Sequence, residues 1–100
     1  IASKQAGTGA FGQFDGVALT LKDGKATNIV VNGSPLDPSK TYRVAINSYV
    51  ATGGDGYPKV TDHPNYVNSG YVDADLLVEY IQNNSPVDAA KFAPSGAVKR

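Results

Sequence analysis

Val17-Ala18-Leu19-Thr20-Leu21-Lys22-Asp23-Gly24-Lys25-Ala26-Thr27-Asn28-Ile29-Val30-Val31 is the stretch whose reading decides the fold. The larger apolar residues at 17, 19 and 21 alternate with small or polar ones, the period-two pattern of a half-buried strand. Asp23-Gly24 is the usual short hairpin turn, and Asn28–Val31, rich in β-branched side chains, reads as the returning strand. Working outward, Asn32-Gly33 closes that strand and Leu36-Asp37-Pro38 makes a further bend. Tyr42-Arg43-Val44-Ala45-Ile46 then reads as a third strand, with Tyr42, Val44 and Ile46 on one face. Short turns between strands predict an antiparallel meander rather than parallel βαβ units. Residues 62–71 hold Pro64, two asparagines and Gly70, a long surface excursion. Val72, Leu76, Leu77, Tyr80 and Ile81 form one apolar stripe at helical spacing, placing a helix over Asp73–Gln82. Asp73 is its expected N-cap, with Asp75 in the first turn, and Asn83-Asn84-Ser85-Pro86 ends it. A short last strand is expected around Ala97–Val98. The fold class is α+β: an antiparallel sheet of three to four strands with one packed helix.

Between the third strand and the excursion lies Asn47-Ser48-Tyr49-Val50-Ala51-Thr52-Gly53-Gly54-Asp55-Gly56-Tyr57-Pro58. Glycines allow positive φ and a close approach of a ligand to the backbone. Asp55, flanked by Gly54 and Gly56, would present acceptor oxygens from a tight loop. A carboxylate there can accept from paired hydroxyls while a neighbouring aromatic face stacks on a flat ring. A sugar carrying a planar base has both features. The same Gly-Asp-Gly also suits a plain turn.

One hundred residues bound the chain to one domain at most, with a modest core. Apolar content of 41% and charged content of 18% describe a globular rather than a disordered chain. Nine basic and nine acidic residues balance, so no basic field suggests nucleic acid as a partner. No apolar run approaches the roughly 18 residues of a membrane span, and no membrane partner is expected. The absence of cysteine excludes disulfides and thiolate metal sites. Residue 1 is Ile and methionine is absent, so the chain is expected to be a piece of something longer. Gly7-Thr8-Gly9-Ala10-Phe11-Gly12 formally matches G-x-G-x-x-G. Ser3–Ala6 before it is no buried strand, and another strand rather than a helix follows, so it is not a dinucleotide fingerprint. A metal-dependent phosphoesterase needs clustered His, Asp and Asn ligands. The single histidine, His63, sits beside Pro64 in a polar loop and is expected to be exposed. Asp73-x-Asp75 lacks the glycine and closing glutamate of a calcium loop. No catalytic residue is expected in this chain.

Several segments, taken in order, resemble one family. They are Phe11–Val17 (F-G-Q-F-D-G-V), Lys40–Ala45 (K-T-Y-R-V-A), Ala51–Pro58 (A-T-G-G-D-G-Y-P), Tyr66–Asp75 (Y-V-N-S-G-Y-V-D-A-D) and Glu79–Asp88 (E-Y-I-Q-N-N-S-P-V-D). Together they resemble the C-terminal domain of the bacterial periplasmic 5′-nucleotidase / UDP-sugar hydrolase family. The resemblance implies that residues 1–100 are part of that substrate-binding domain. The catalytic metallophosphoesterase domain, with two divalent metal ions, would lie outside this chain, along with the upstream half of the domain. It implies a periplasmic or secreted hydrolase of nucleotide catabolism, whose isolated fragment is inactive and needs no cofactor of its own. Carried over, Tyr49 stacks on the base, Asp55 bonds the ribose hydroxyls, and Gly53 and Gly54 complete the substrate-binding loop. The family often has Phe at the stacking position, so Tyr49→Phe is expected to cost little. A second stacking aromatic, in a Q-P-F-G-N-like motif, and arginines in a G-G-x-R-like segment have no match here. The chain would own one side of the base clamp. The alternative is a non-enzymatic carbohydrate- or ligand-binding module built on Tyr49, Tyr57 and Asp55. A purely structural domain is the third possibility.

Overall fold

A computed structural model describes residues 7–99; the reading of Ser3–Ala6 lies outside them. Two compact units emerge. One runs up to Arg43 and resumes at Pro94, and the other is Val44–Ala93.

The first unit is a four-stranded sheet in the order β3-β2-β1-β4, with β1 Val17–Lys22, β2 Lys25–Val31, β3 Ser34–Pro35 and β4 Val98–Lys99. β1 and β2 pair antiparallel from Val17↔Val31 to Lys22↔Lys25, the hairpin that the alternation predicts. Asp23 and Gly24 both have positive φ, 51° and 73°, the requirement of the two-residue turn that matches strand twist. Asn32 and Gly33 repeat the device between β2 and β3. The register slips where Ala18↔Val30 is followed by Thr20↔Thr27, so Asn28 and Ile29 together oppose Leu19. Asn28 sits at φ 50°, and its short polar side chain tolerates the left-handed region that such a bulge uses. Leu19, 4% exposed, is the buried residue among those described in this unit, and its amide donates to the Ala97 carbonyl at 2.7 Å.

The α+β class holds, with one refinement and one correction. The fourth strand exists, but it runs parallel to β1 through Leu19↔Val98, so the sheet is mixed though mostly antiparallel. Residues 42–46 are not a strand. Their alternation satisfies a side-chain pattern, but a strand also needs a ladder partner, and among the described residues they have none. Val44 is 78% exposed, and the stretch straddles the boundary between the units. The β2 neighbour is instead Ser34–Pro35, with Pro35 on an edge where a missing N–H costs no ladder bond. The bend after it is built as expected: Asp37 accepts from the Ser39 amide at 2.9 Å and the Ser39 hydroxyl at 2.6 Å. The Asp37 amide in turn donates to the Tyr42 hydroxyl at 2.9 Å.

The second unit carries a one-turn helix, α1 Ser48–Ala51, and the main helix, α2 Asp73–Asn84. α2 runs two residues past the expected end and stops where Ser85 turns extended before Pro86. Its N-cap is Val72, not Asp73. Asp73 has entered the first turn, where its Oδ1 accepts from the Ala74 amide and its charge still faces the positive end of the helix. The apolar stripe is present but remains partly exposed, Leu77 by 59%. Within the unit, the Phe92 ring packs edge-on against Tyr80 at 6.3 Å. Phe92 ends a 3-10 turn, Ala89–Phe92, capped by the Asp88 carboxylate. Among the described residues no helix is long and apolar enough to cross a membrane.

Candidate functional site

The site is the segment between α1 and the loop that follows it. Asn47 caps α1 in extended backbone, its Oδ1 accepting from the Val50 amide at 2.8 Å. Thr52 closes the other end. Its amide donates to the Ser48 carbonyl at 3.1 Å, and its hydroxyl hydrogen is shared between the Ser48 and Tyr49 carbonyls, each 3.0 Å away. Ala51, 1% exposed, anchors the segment from below, and its carbonyl accepts from the Val60 amide at 2.9 Å.

The chain then reverses through Gly53 at φ 98° and the 3-10 turn Gly54–Gly56. Asp55 lies at φ 55° and Gly56 at φ 70°. A run of left-handed residues is what the glycines permit, and aspartate is one of the few side chains that enters that region at modest cost. Gly54 has a separate role. A β carbon there would lie 2.5 Å from the Tyr49 carbonyl oxygen and 2.6 Å from two Tyr49 ring carbons. The Tyr49 ring therefore rests directly against the Gly54 backbone.

All four residues expected to form the site, Tyr49, Gly53, Gly54 and Asp55, fall in this one small structure. The Tyr49 hydroxyl donates to Asp55 Oδ1 at 3.1 Å. Tyr49 remains 61% exposed, so one side of the ring is seated and the rest is open to solvent. Aromatic surface and carboxylate thus sit side by side. The hydroxyl bond was not legible from the sequence. Residues six apart do not touch within a helix, and in a strand they lie about 20 Å apart, so only the left-handed turn folds Asp55 back over the helix end. Tyr57, half-buried, donates its amide to the Gly54 carbonyl at 3.1 Å and closes the turn.

Metal-binding donors do not assemble. Among the described residues no group of three or more His, Cys, Asp or Glu side chains could hold an ion. His63 is exposed and its Nδ1 accepts from the Asn65 amide at 3.1 Å. The Lys59–Asp62 pair, at 2.9 Å, is a solvent-exposed ion pair of small energetic weight. These donors do not fit a two-metal centre. Gly7–Gly12 forms turns and bends, and the next element is β1 rather than a helix, so the glycine spacing there has no phosphate-binding context.

Residues 2–62, which include this loop, match the family model described as 5′-nucleotidase, C-terminal domain. The chain belongs to that family. Over 98 residues it is 49% identical to the 5′-nucleotidase of Vibrio cholerae serotype O1 and 45% identical to Protein UshA of Escherichia coli strain K12. Each alignment covers 98% of this chain and 18% of the relative. A shorter match, 40% identical over 53 residues, reaches the apyrase of Tabanus yao, covering 53% of this chain and 10% of that protein. The chain thus spans about a fifth of the length of the bacterial relatives it matches.

Proposed function

We propose that this chain is part of the nucleoside-binding portion of a larger metal-dependent 5′-nucleotidase / UDP-sugar hydrolase. Tyr49 stacks on the base, Asp55 accepts from the ribose hydroxyls, and Gly53 and Gly54 shape the loop that holds them. The observation that carries this reading is the open Tyr49 ring beside the Asp55 carboxylate, held by a 3.1 Å hydrogen bond. A nucleoside is a flat ring joined to a vicinal diol, and these are the two surfaces that such a ligand needs. A carboxylate offers about four acceptor positions, enough for the tyrosine hydroxyl and both ribose hydroxyls.

In this reading the chain binds and orients, and the bond cleavage belongs to the remainder of the parent polypeptide. Two divalent ions held there would polarise the phosphoryl group and activate water. The parent is exported to the periplasm or secreted. Burial supports a larger whole: the buried apolar residues among those described are Leu19 and Ala51, too few for a self-sufficient core. The remaining apolar surface is then covered by upstream parts of the same polypeptide.

The test uses the longer protein. Asp55→Ala removes charge-assisted hydrogen bonds worth about 1.5–3 kcal/mol. The ribose lies away from the reacting phosphorus, so the loss falls on KM, by roughly ten- to a hundredfold. Wild type is expected to prefer a nucleotide over its 2′,3′-dideoxy analogue, and Asp55→Ala to show no preference. Equal discrimination by both proteins would make Asp55 a turn residue. Tighter binding of free sugars than of nucleosides would favour a carbohydrate module instead.

A further inference from the structure

Resting on the nucleoside-binding reading, we infer that the Tyr49 hydroxyl is a positioning group, which fixes the Asp55 carboxylate beside the ring before any ligand arrives. The sequence suggests that this hydroxyl is dispensable, because phenylalanine would offer the same flat face. The structure gives it a partner, Asp55 Oδ1 at 3.1 Å.

Three constraints make that bond more than a chance contact. The ring is seated on one side against Gly54, where a β carbon would stand 2.6 Å from ring carbons Cδ1 and Cε1. The Asp55 backbone is held in the left-handed region between Gly53 and Gly56, themselves at positive φ. The Tyr49 backbone is fixed by α1, which is capped at one end by Asn47 and closed at the other by Thr52. Both ends of the hydrogen bond are therefore tethered to ordered backbone. A hydrogen bond that restrains an exposed aspartate in the free protein lowers the rotamer entropy that it loses on binding. Holding one rotamer in the free protein removes that cost from the binding step. It also sets the distance between the stacking face and the diol acceptor, so the two ligand features must be joined with the right spacing.

Ribose selectivity is then a property of the Tyr49–Asp55 pair. In the longer protein, Tyr49→Phe is expected to lower the ratio of dideoxynucleotide KM to ribonucleotide KM by about three- to tenfold. In an Asp55→Ala background the same substitution should leave that ratio where Asp55→Ala alone puts it, since the two groups act as one unit. Unchanged thermal unfolding of Tyr49→Phe would separate this effect from loop stability. Two results overturn the role given to the hydroxyl: an unchanged ratio in Tyr49→Phe, whether or not both substrates weaken equally, or a rise in discrimination, which would mean the hydroxyl competes with ribose. If Asp55→Ala loses discrimination while Tyr49→Phe keeps it, the nucleoside site stands and only the positioning role fails. If Asp55→Ala itself keeps discrimination, both fail.

Discussion

Gly54 is where one atom decides the geometry of the site. Its φ is not in the positive range, so conformational freedom is not the reason for glycine here. Close approach is: a β carbon would meet the Tyr49 carbonyl oxygen at 2.5 Å, and a backbone oxygen cannot swing aside as a side-chain end can. Gly54→Ala is expected to destabilise the loop by about 1–3 kcal/mol, as overpacking of a fixed site does. It should also dislodge the ring from its seat. In the longer protein this would appear as weaker binding of every nucleotide, whatever its base, together with a lower unfolding midpoint. An alanine variant with wild-type stability and affinity would show that the Tyr49 ring is not seated against Gly54. Gly53 differs, since its φ of 98° makes any side chain strained even though the nearest atom to an added β carbon is 3.4 Å away.

At the scale of elements, the bend after β3 and α2 illustrate two ways in which charge settles local structure. In the bend, the Ser39 hydroxyl and then the Ser39 amide hold the Asp37 carboxyl below its ordinary pKa. A depressed carboxyl pKa means that the ionised form favours the fold. The contribution is present above the unfolded value, about 3.9, and is lost as pH falls through the lower folded one. Ser39→Ala removes the larger of the two causes and leaves the amide. NMR titration of the Asp37 carboxyl should then show its midpoint moving up toward the ordinary value, and an unmoved midpoint would assign the effect elsewhere. In α2, Asp73 and Asp75 lie in the first turn, where carboxylates favour the helix dipole, although neither is the cap. The helix therefore begins one residue earlier than an Asp73 cap would place it, and both carboxylates stabilise its first turn.

Seen whole, the described chain has a well-paired sheet, a capped loop and a helix, yet buries little. Ile46, Leu76, Leu77, Tyr80 and Phe92 are all exposed by more than a third. Apolar surface on that scale favours association. The isolated chain is expected to self-associate or to bind an apolar dye, and light scattering together with dye fluorescence checks this. A well-behaved monomer that binds no dye would contradict it. The same isolated chain is expected to hydrolyse no nucleotide with any divalent metal, because among the described residues the carboxylates and the single histidine do not cluster. Robust phosphatase activity in a rigorously purified sample would overturn the assignment of catalysis to the rest of the parent.

The hairpin, the helix and the glycine loop were legible in the sequence because each is specified by neighbours. Alternation at 17–21 and Asp23-Gly24 fix β1 and its turn, the stripe at 72–81 with Pro86 fixes α2, and the glycines around Asp55 fix a tight reversal. Family membership was legible for the same reason, since the motifs are short and contiguous. What depends on partners distant in sequence was not. The parallel pairing of β4 with β1 joins Leu19 to Val98, and no local pattern distinguishes that from an antiparallel return. The strand pattern at 42–46 is real as alternation, but the ladder that would make it a strand is missing among the described residues. The bulge at Asn28 changes register without leaving a trace in hydrophobic period. The bond between the Tyr49 hydroxyl and Asp55 was hidden for a related reason. Periodicity reports which residues share a face, whereas contact across a left-handed turn depends on backbone angles that only the folded chain supplies.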